Sequence, residues 1–464
     1  MSLRFFRIWL LMAGAVFGAF TIARPALASQ SGNVPNSSTE GRSDTILILP
    51  FENYSRIPTL DWLGEGLSEI SVERLQDKGL NVLSRQERLA VLEKIGLPDS
   101  ARFSHATMVK IAGEADADDV IFGKFTSDGN TVTLEANLLH ISPPRLSSPL
   151  KESGALSDLL RIQARLSWKI LCVLNEKSCP RQVANRDETT FTEPPPSLRP
   201  EVLEAFIHGL TGPNDDLRLR ALRDAARLEP AWDRPAFELA RIYFSRHDCE
   251  VALPWFSHVP PDRPDGPEAS FDTGICHLYR NDSIRAEATF TGLLERAHSE
   301  NLKDRIPELP EVHNNLGVAR MNLGKWNEAA IEFERAAAMD DGEADFWVNL
   351  AIAKLAQKQQ TAAVSALEHA RKIDPQDKGA RALLISTLES LGRGSEAGAV
   401  RTESPETSSA APTPLPQDVA DLAHLGRLSK EFDRSGLRSP SDVASGQTPQ
   451  NKETHKPASG GGLN

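Results

Sequence analysis

The residues best suited to chemistry stand in one short cluster: His247, Asp248, Cys249, Cys276 and His277. Thiols and imidazoles are zinc ligands, and two thiols alone can close a disulfide. Neither Cys-x-x-Cys nor His-x-x-x-His spacing occurs in the cluster, so zinc is the weakest of three readings. A Cys249–Cys276 disulfide is the plainest, and two buried free thiols come between. Cys172 and Cys179 are close in sequence and are the other disulfide candidates, although four cysteines allow three pairings.

Gly64-Glu65-Gly66 raises the question of a phosphate-binding loop. A dinucleotide fingerprint needs its first glycine directly after a strand and a third glycine three residues past the second. Here about a dozen residues follow Phe51 before Gly64, and Glu69 holds the third place. A Walker loop would need Gly-Lys-Ser/Thr. Asp61, Glu65 and Glu69 also crowd the helix start, where carboxylates favour the dipole but repel phosphate. The glycines are therefore expected to allow close helix–sheet packing. Asp116, Asp118 and Asp119 read as a solvated turn rather than an acid–base pair. No Gly-x-Ser-x-Gly or His-Glu-x-x-His occurs. No catalytic residue, no metal and no cofactor is expected.

The elements around these residues fall into two kinds. Thr45 to Phe51 is the apolar run of a strand buried on both faces. Leu63, Leu67, Ile70 and Leu75 then recur at helical spacing, Leu80 to Leu83 reads as a short strand, and Leu89, Leu92 and Ile95 as a second helix. Val120 to Phe125, Ser127-Asp128-Gly129-Asn130 and the alternating Val132, Leu134, Ala136 and Leu138 predict a hairpin. A helix from Leu156 to Leu174 completes an α/β domain of mixed sheet over residues 44–180. Residues 181–198 read as a Pro-rich linker.

The rest of the chain repeats. Ala252, Ala286, Ala329, Ala363 and Ala397 stand at intervals of 34 residues, broken once by 9 extra between Ala286 and Ala329. Four residues after the first four come Phe256, Phe290, Phe333 and Leu367; twelve before them come Ala240, Gly274, Gly317 and Ala351. Small residues let two helices cross closely and the large one fills the layer to the next pair. About six pairs are expected over residues 199–402, starting near 199, 233, 267, 310, 344 and 378.

The ends differ from both. Arg4 and Arg7, an apolar stretch from Ile8 to Ala23 and Ala26-Leu27-Ala28 predict a signal peptide over residues 1–28, cleaved after Ala28, and a linker over 29–43. No membrane span is expected after cleavage. Residues 403–464 are rich in Ser, Thr, Pro and Gly and are expected to form a mostly disordered tail. A short helix around Val419, Leu422, Leu425 and Phe432 is the exception; capping the open end of the array and binding a partner are its two readings, and the cap is favoured because terminal repeats need a polar outer face. The net charge of -12, with no long basic run, excludes a broad nucleic-acid surface and favours a neutral or cationic partner.

"EVHNNLGVARMNLGKWNEAAIEFERAAAMD" and "DFWVNLAIAKLAQKQQTAAVSALEHARKIDP" resemble tetratricopeptide repeats in Leu316-Gly317, Gly324, Ala329, Phe333 and Ala336, and in Trp347, Leu350, Ala363, Ala370 and Pro375. "ILPFEN", "WLGEGLSE" and "VLSRQER" resemble the amino-terminal domain of TolB, a fold shared by envelope proteins of curli export. Together the resemblances imply an α/β domain followed by a helical solenoid. They also imply a periplasmic or secreted envelope adaptor that binds a protein or peptide, an envelope component among the candidates. Small-ligand sensing by the α/β domain is the alternative. Asn315 and Asn349 fall at one place in successive repeats, which in tetratricopeptide proteins that hold extended chains faces the inner groove. Their amides are expected to be exposed, free to pair with a peptide main chain and replaceable by Ala without loss of stability.

Overall fold

Strand β1 (Thr45–Ile48) is buried along its length, because both its faces are covered by helices. The computed structural model describes residues 44–99, 101–174, 186–193, 198–299, 308–402 and 419–433. β1 lies between β3 (Asn81–Val82) and β4 (Asp119–Ser127), parallel to both. β4 continues antiparallel to β5 (Thr131–His140), which pairs with β6 (Arg145–Leu146) and β7 (Leu150–Ala155); β2 (Glu52–Asn53) adds to β4. The result is a mixed seven-stranded sheet.

Helix α1 (Trp62–Gln76) meets the sheet so closely that a Cβ at Gly64 would lie 2.2 Å from the Phe51 carbonyl oxygen, and the Phe51 N–H donates to Gly64 O at 3.0 Å. Glu65, one residue on, accepts from Arg85 at 2.8 Å and pairs with Arg88, both on α2 (Arg85–Lys94). The charge at this helix start is thus neutralised by side chains of the same domain. α2 itself is fixed by a capping box between Ser84 and Glu87. α3 (His105–Glu114) and α4 (Leu159–Leu174) complete the domain. Asp116 is exposed in a turn, as expected, but the expectation of a solvated turn is corrected for Asp118 and Asp119. Asp118 Oδ2 accepts from the Thr45 N–H at 2.8 Å, and the buried Asp119 meets His140 Nδ1 at 2.9 Å, because these carboxylates satisfy strand ends.

The segment expected as linker contains α5 (Arg186–Thr192). Phe191 is buried, its ring centroid 5.4 Å from that of Trp168, and its carbonyl accepts from Arg74 at 2.7 Å. A single buried aromatic binds this stretch to the first domain, a signal that a Pro-rich composition conceals.

Six antiparallel helix pairs follow. They are α6/α7 (Pro200–Thr211, Asp215–Leu228), α8/α9 (Asp233–Ser245, Cys249–Phe256), α10/α11 (Gly266–Tyr279, Ser283–Ala297), α12/α13 (Pro310–Asn322, Trp326–Met339), α14/α15 (Ala344–Ala356, Gln360–Ile373) and α16/α17 (Lys378–Ser390, Gly394–Thr402). The 34-residue alanines are all buried. The reason for the small residue twelve positions earlier is visible at each glycine. A Cβ at Gly274 would lie 2.4 Å from Phe290 Cζ, and one at Gly317 2.5 Å from Phe333 Cε1. Gly209 stands in the same relation to Leu222 in the first pair, at 2.4 Å.

The array packs directly on the first domain. Ile70 of α1 and Leu160 of α4 share one apolar cluster with Phe206, Ile207, Leu210 and Trp232. Above it, Arg234 Nη2 donates to Glu69 Oε2 at 2.6 Å and Arg263 Nη2 to Glu73 Oε1 at 3.0 Å. Burial pushes the Glu73 carboxyl above its ordinary range, and the opposing pull of Arg234 and Arg263 does not fully offset this. No described helix is long and apolar enough to cross a membrane. The proposed signal peptide, the 29–43 linker and most of the 403–464 tail lie outside the described residues.

Candidate peptide-binding groove

The first helices of successive pairs line one side of a solenoid, so a residue type repeated at their period forms a row. Asn315 on α12 and Asn349 on α14 stand in such a row, with Asn314 beside them. Both amides are fully buried, against the expectation of exposure. What covers them is the chain itself.

Residues 426–433 run across the row, after the short helix α18 (Val419–Ala423) and the turn that ends it. Asn349 Nδ2 donates to Arg427 O at 2.7 Å and Asn349 Oδ1 accepts from Arg427 N at 2.8 Å. Asn315 repeats the motif two residues further along the segment, donating to Ser429 O at 2.8 Å and accepting from Ser429 N at 2.9 Å. An amide side chain offers one donor and one acceptor side by side, which matches the N–H and C=O of one extended residue. Asn314 ties the row together. Its Nδ2 donates to Arg427 O at 3.0 Å, and its Oδ1 accepts from Asn349 Nδ2 at 2.7 Å.

Charge closes both ends. Arg427 Nη1 reaches Asp345 Oδ1 at 2.7 Å and also pairs with Asp377, the N-cap of α16. Burial lowers the affinity of Arg427 for its proton, but Asp377 and Asp345 outweigh it and leave the guanidinium more firmly charged than usual. Asp377 is raised by burial and lowered more by Arg427 and by the N–H groups of Ala380 and Gly379, so its carboxyl stays ionised below the usual range. At the far end Glu311 accepts from the Asp433 N–H at 2.8 Å. Burial raises the Glu311 carboxyl. Phe432 packs on Phe271 of α10 with ring centroids 5.4 Å apart. The segment therefore runs opposite to the array, from the fifth and sixth pairs toward the third.

The short helix expected as an end cap is thereby relocated. Leu422 is buried against the same apolar cluster as α12 and α14, not on the outer face of α17. The groove offers apolar and amide partners, whereas the array's last pair closes itself with an Arg401–Glu389 ion pair at 2.6 Å.

The other singled-out residues sit elsewhere. Cys249 Sγ and Cys276 Sγ are bonded at 2.09 Å with Cα atoms 5.2 Å apart, joining α9 to α10. Asp248 caps α9 and His247 packs edge-on to Tyr279. Cys172 is disulfide-bonded, and Cys179 lies outside the described residues. Among the described residues no group of three or more His, Cys, Asp or Glu is arranged to hold a metal. A cavity of 290 Å³ opens at the junction of α1 with the array, lined by Glu69, Arg85, Arg218, Arg234, Arg241 and Arg263.

Asn314, Arg427, Asp345, Asp377 and Glu311 escaped the sequence reading. One signal was present: Glu311 and Asp345 stand 34 residues apart, an acidic row beside the amide row.

α12, α13 and the turn after them carry the repeat most fully, and a family model matches there. Residues 310–342 match the model of the tetratricopeptide repeat. Among solved structures the chain is similar to MamA, at 18% identity over 37% of this chain and 94% of that one, with a TM-score of 0.32. YrrB, described as a TPR protein with an unusual peptide-binding site, is 15% identical over 45% of this chain and 97% of that one, TM-score 0.35. PilW, a type IV pilus biogenesis factor, is 17% identical over 45% and 96%, TM-score 0.36. No curated protein matches the chain in sequence. The helix pairs on either side of that match continue its 34-residue period, so the array is a tetratricopeptide-like solenoid.

Proposed function

We propose that this protein is an exported envelope adaptor that holds an extended segment of a protein partner in the groove of its helical array. The observation that carries the reading is the paired grip of Asn315 and Asn349 on the main chain of residues 427 and 429. Amides that grip main chain select for an extended backbone, and the acidic residues beside them select for a cationic side chain. The α/β domain, with its TolB-like motifs, docks to envelope machinery in this reading, and the amino-terminal segment directs export. No catalytic step is part of it.

Crosslinking in intact cells, followed by mass spectrometry, tests the assignment. Crosslinks to a partner should map to the helices bearing Asn315 and Asn349 and weaken in the Asn315→Ala/Asn349→Ala chain. Crosslinks confined to residues 44–180 would move partner binding to the α/β domain. A second reading, sensing of a small ligand, is favoured by the junction cavity with its carboxylates and guanidinium groups. A thermal shift produced by a zwitterionic small molecule, and abolished by Arg241→Ala, would support it.

A further inference from the structure

The groove is filled, and its occupant belongs to the same chain. A docked segment that served only as scaffold would be expected to bury a continuous apolar face. This one does not: Leu425 is 44% exposed, and Lys430, Glu431 and Asp433 face solvent. Leu422, before the segment, is a buried member of the array's apolar cluster, whereas within the segment only Leu428 and Phe432 pack against that cluster, both half-buried. What holds it across the row is main-chain pairing to amides, and such bonds can be exchanged for equivalent ones at little net change. Besides Leu428 and Phe432, three further side-chain positions reach the array, the first being Ser429, whose Oγ accepts from Asn314 Nδ2 at 3.1 Å. Arg427 spans Asp345 and Asp377, Phe432 meets Phe271, and a Cβ at Gly426 would press on Met321 Cε at 2.3 Å.

We propose that residues 426–433 are a tethered occupant that a partner must displace. The partner would be an extended segment carrying an arginine, a small residue just before it and an aromatic residue five positions after it. This rests on the groove reading above and adds to it both a gate and a template. The acidic row explains why the template contains arginine. Asp377 also caps α16, so its position is fixed before any segment arrives, and a planar guanidinium reaches it and Asp345 together. A tethered ligand acts at an effective concentration on the order of mM, so weak partners stay excluded and a better-matched one enters.

The test uses the full chain and a fluorescein-labelled peptide of residues 422–433, followed by anisotropy. Three chains are compared: the parent, Arg427→Ala/Phe432→Ala, and that variant carrying Asn315→Ala and Asn349→Ala as well. The parent should bind the probe roughly tenfold or more weakly than the Arg427→Ala/Phe432→Ala chain, because its own segment competes. That chain should also prefer the probe by roughly tenfold or more over a labelled peptide with alanine in place of the arginine and phenylalanine. Equal affinity of parent and variant overturns the tethered occupancy. Equal affinity for the two peptides overturns the arginine–aromatic template while leaving the groove reading intact, provided binding still depends on the asparagines. Undiminished binding by the fourfold variant overturns the groove reading itself. Should the fourfold variant fail to fold by circular dichroism, Asn315→Ala alone takes its place.

Discussion

The junction between the domains and the groove of the array both set arginine against carboxylates, yet they are built for different ends. At the junction Arg234 reaches Glu69, which is 1% exposed, over an apolar cluster shared by both domains. In the groove Arg427 reaches Asp345, whose side chain is 41% exposed, and the main chain is held by neutral amides. A buried ion pair is costly to break, because the charge left behind has no solvent to turn to. An amide gripping a main chain is cheap to exchange, because any extended peptide brings the same groups. The first arrangement fixes two domains as one body; the second is suited to a ligand that comes and goes.

The sharpest way to break this contrast is Arg234→Ala, which leaves Glu69 buried without its cation. It should cost about 3–5 kcal/mol in denaturant unfolding. A loss below about 1 kcal/mol would place the junction in the class of surface pairs. Reduction of Cys249–Cys276 comes next. The bond closes 27 residues between the second pair, which carries Arg234, and the third, spanning the loop that carries Arg263, and its loss should cost on the order of 3 kcal/mol. Peptide capture at Asn315 and Asn349, in the fourth and fifth pairs, should be unchanged by the reductant. Asn349→Ala should cost about 1–3 kcal/mol, since it removes bonds to Asn314 and Arg427 inside a buried row. Unaltered stability in that variant would return the amide to the exposed position expected from sequence.

The smallest effect is Glu73→Gln. Because burial raises the Glu73 carboxyl in the folded state, the fold favours its neutral form. The parent's stability from this group is full below the unfolded value of about 4.5 and declines as pH rises through the folded value. Relative to the parent, the Gln variant should therefore gain as pH rises from 4.5 to neutrality, within about 1 kcal/mol. A variant that instead loses ground over that range would show that the pairing with Arg263 outweighs burial.

The array was legible because its period is enforced by steric contact. Gly274 against Phe290 and Gly317 against Phe333 leave no choice of residue size, so the 34-residue interval survives in the sequence. The α/β order was legible for a similar reason, since Thr45 to Phe51 must be apolar to lie between two helical layers. Asn315 and Asn349 could be picked out by their spacing, but not their burial, which depends on a segment more than 70 residues downstream in sequence. Val419, Leu422, Leu425 and Phe432 marked an ordered exception in the tail, but they read as one helix, whereas the helix ends at Ala423. The run after it takes its order from the groove, and its own residues do not show that partner. Phe191 in α5 failed to show for the same reason: one aromatic side chain supplies the anchorage, and one residue makes no pattern.

Amide hydrogen exchange of the full chain, read residue by residue over 425–433, reports directly on whether the asparagine row holds an extended main chain. The N–H groups of Arg427 and Ser429 should be protected in the parent. Arg427 should lose protection in Asn349→Ala, and Ser429 in Asn315→Ala, while the Asp433 N–H held by Glu311 keeps its own in both. Exchange of Arg427 and Ser429 at unfolded-chain rates in the parent would contradict the assignment of this row as a main-chain binding site.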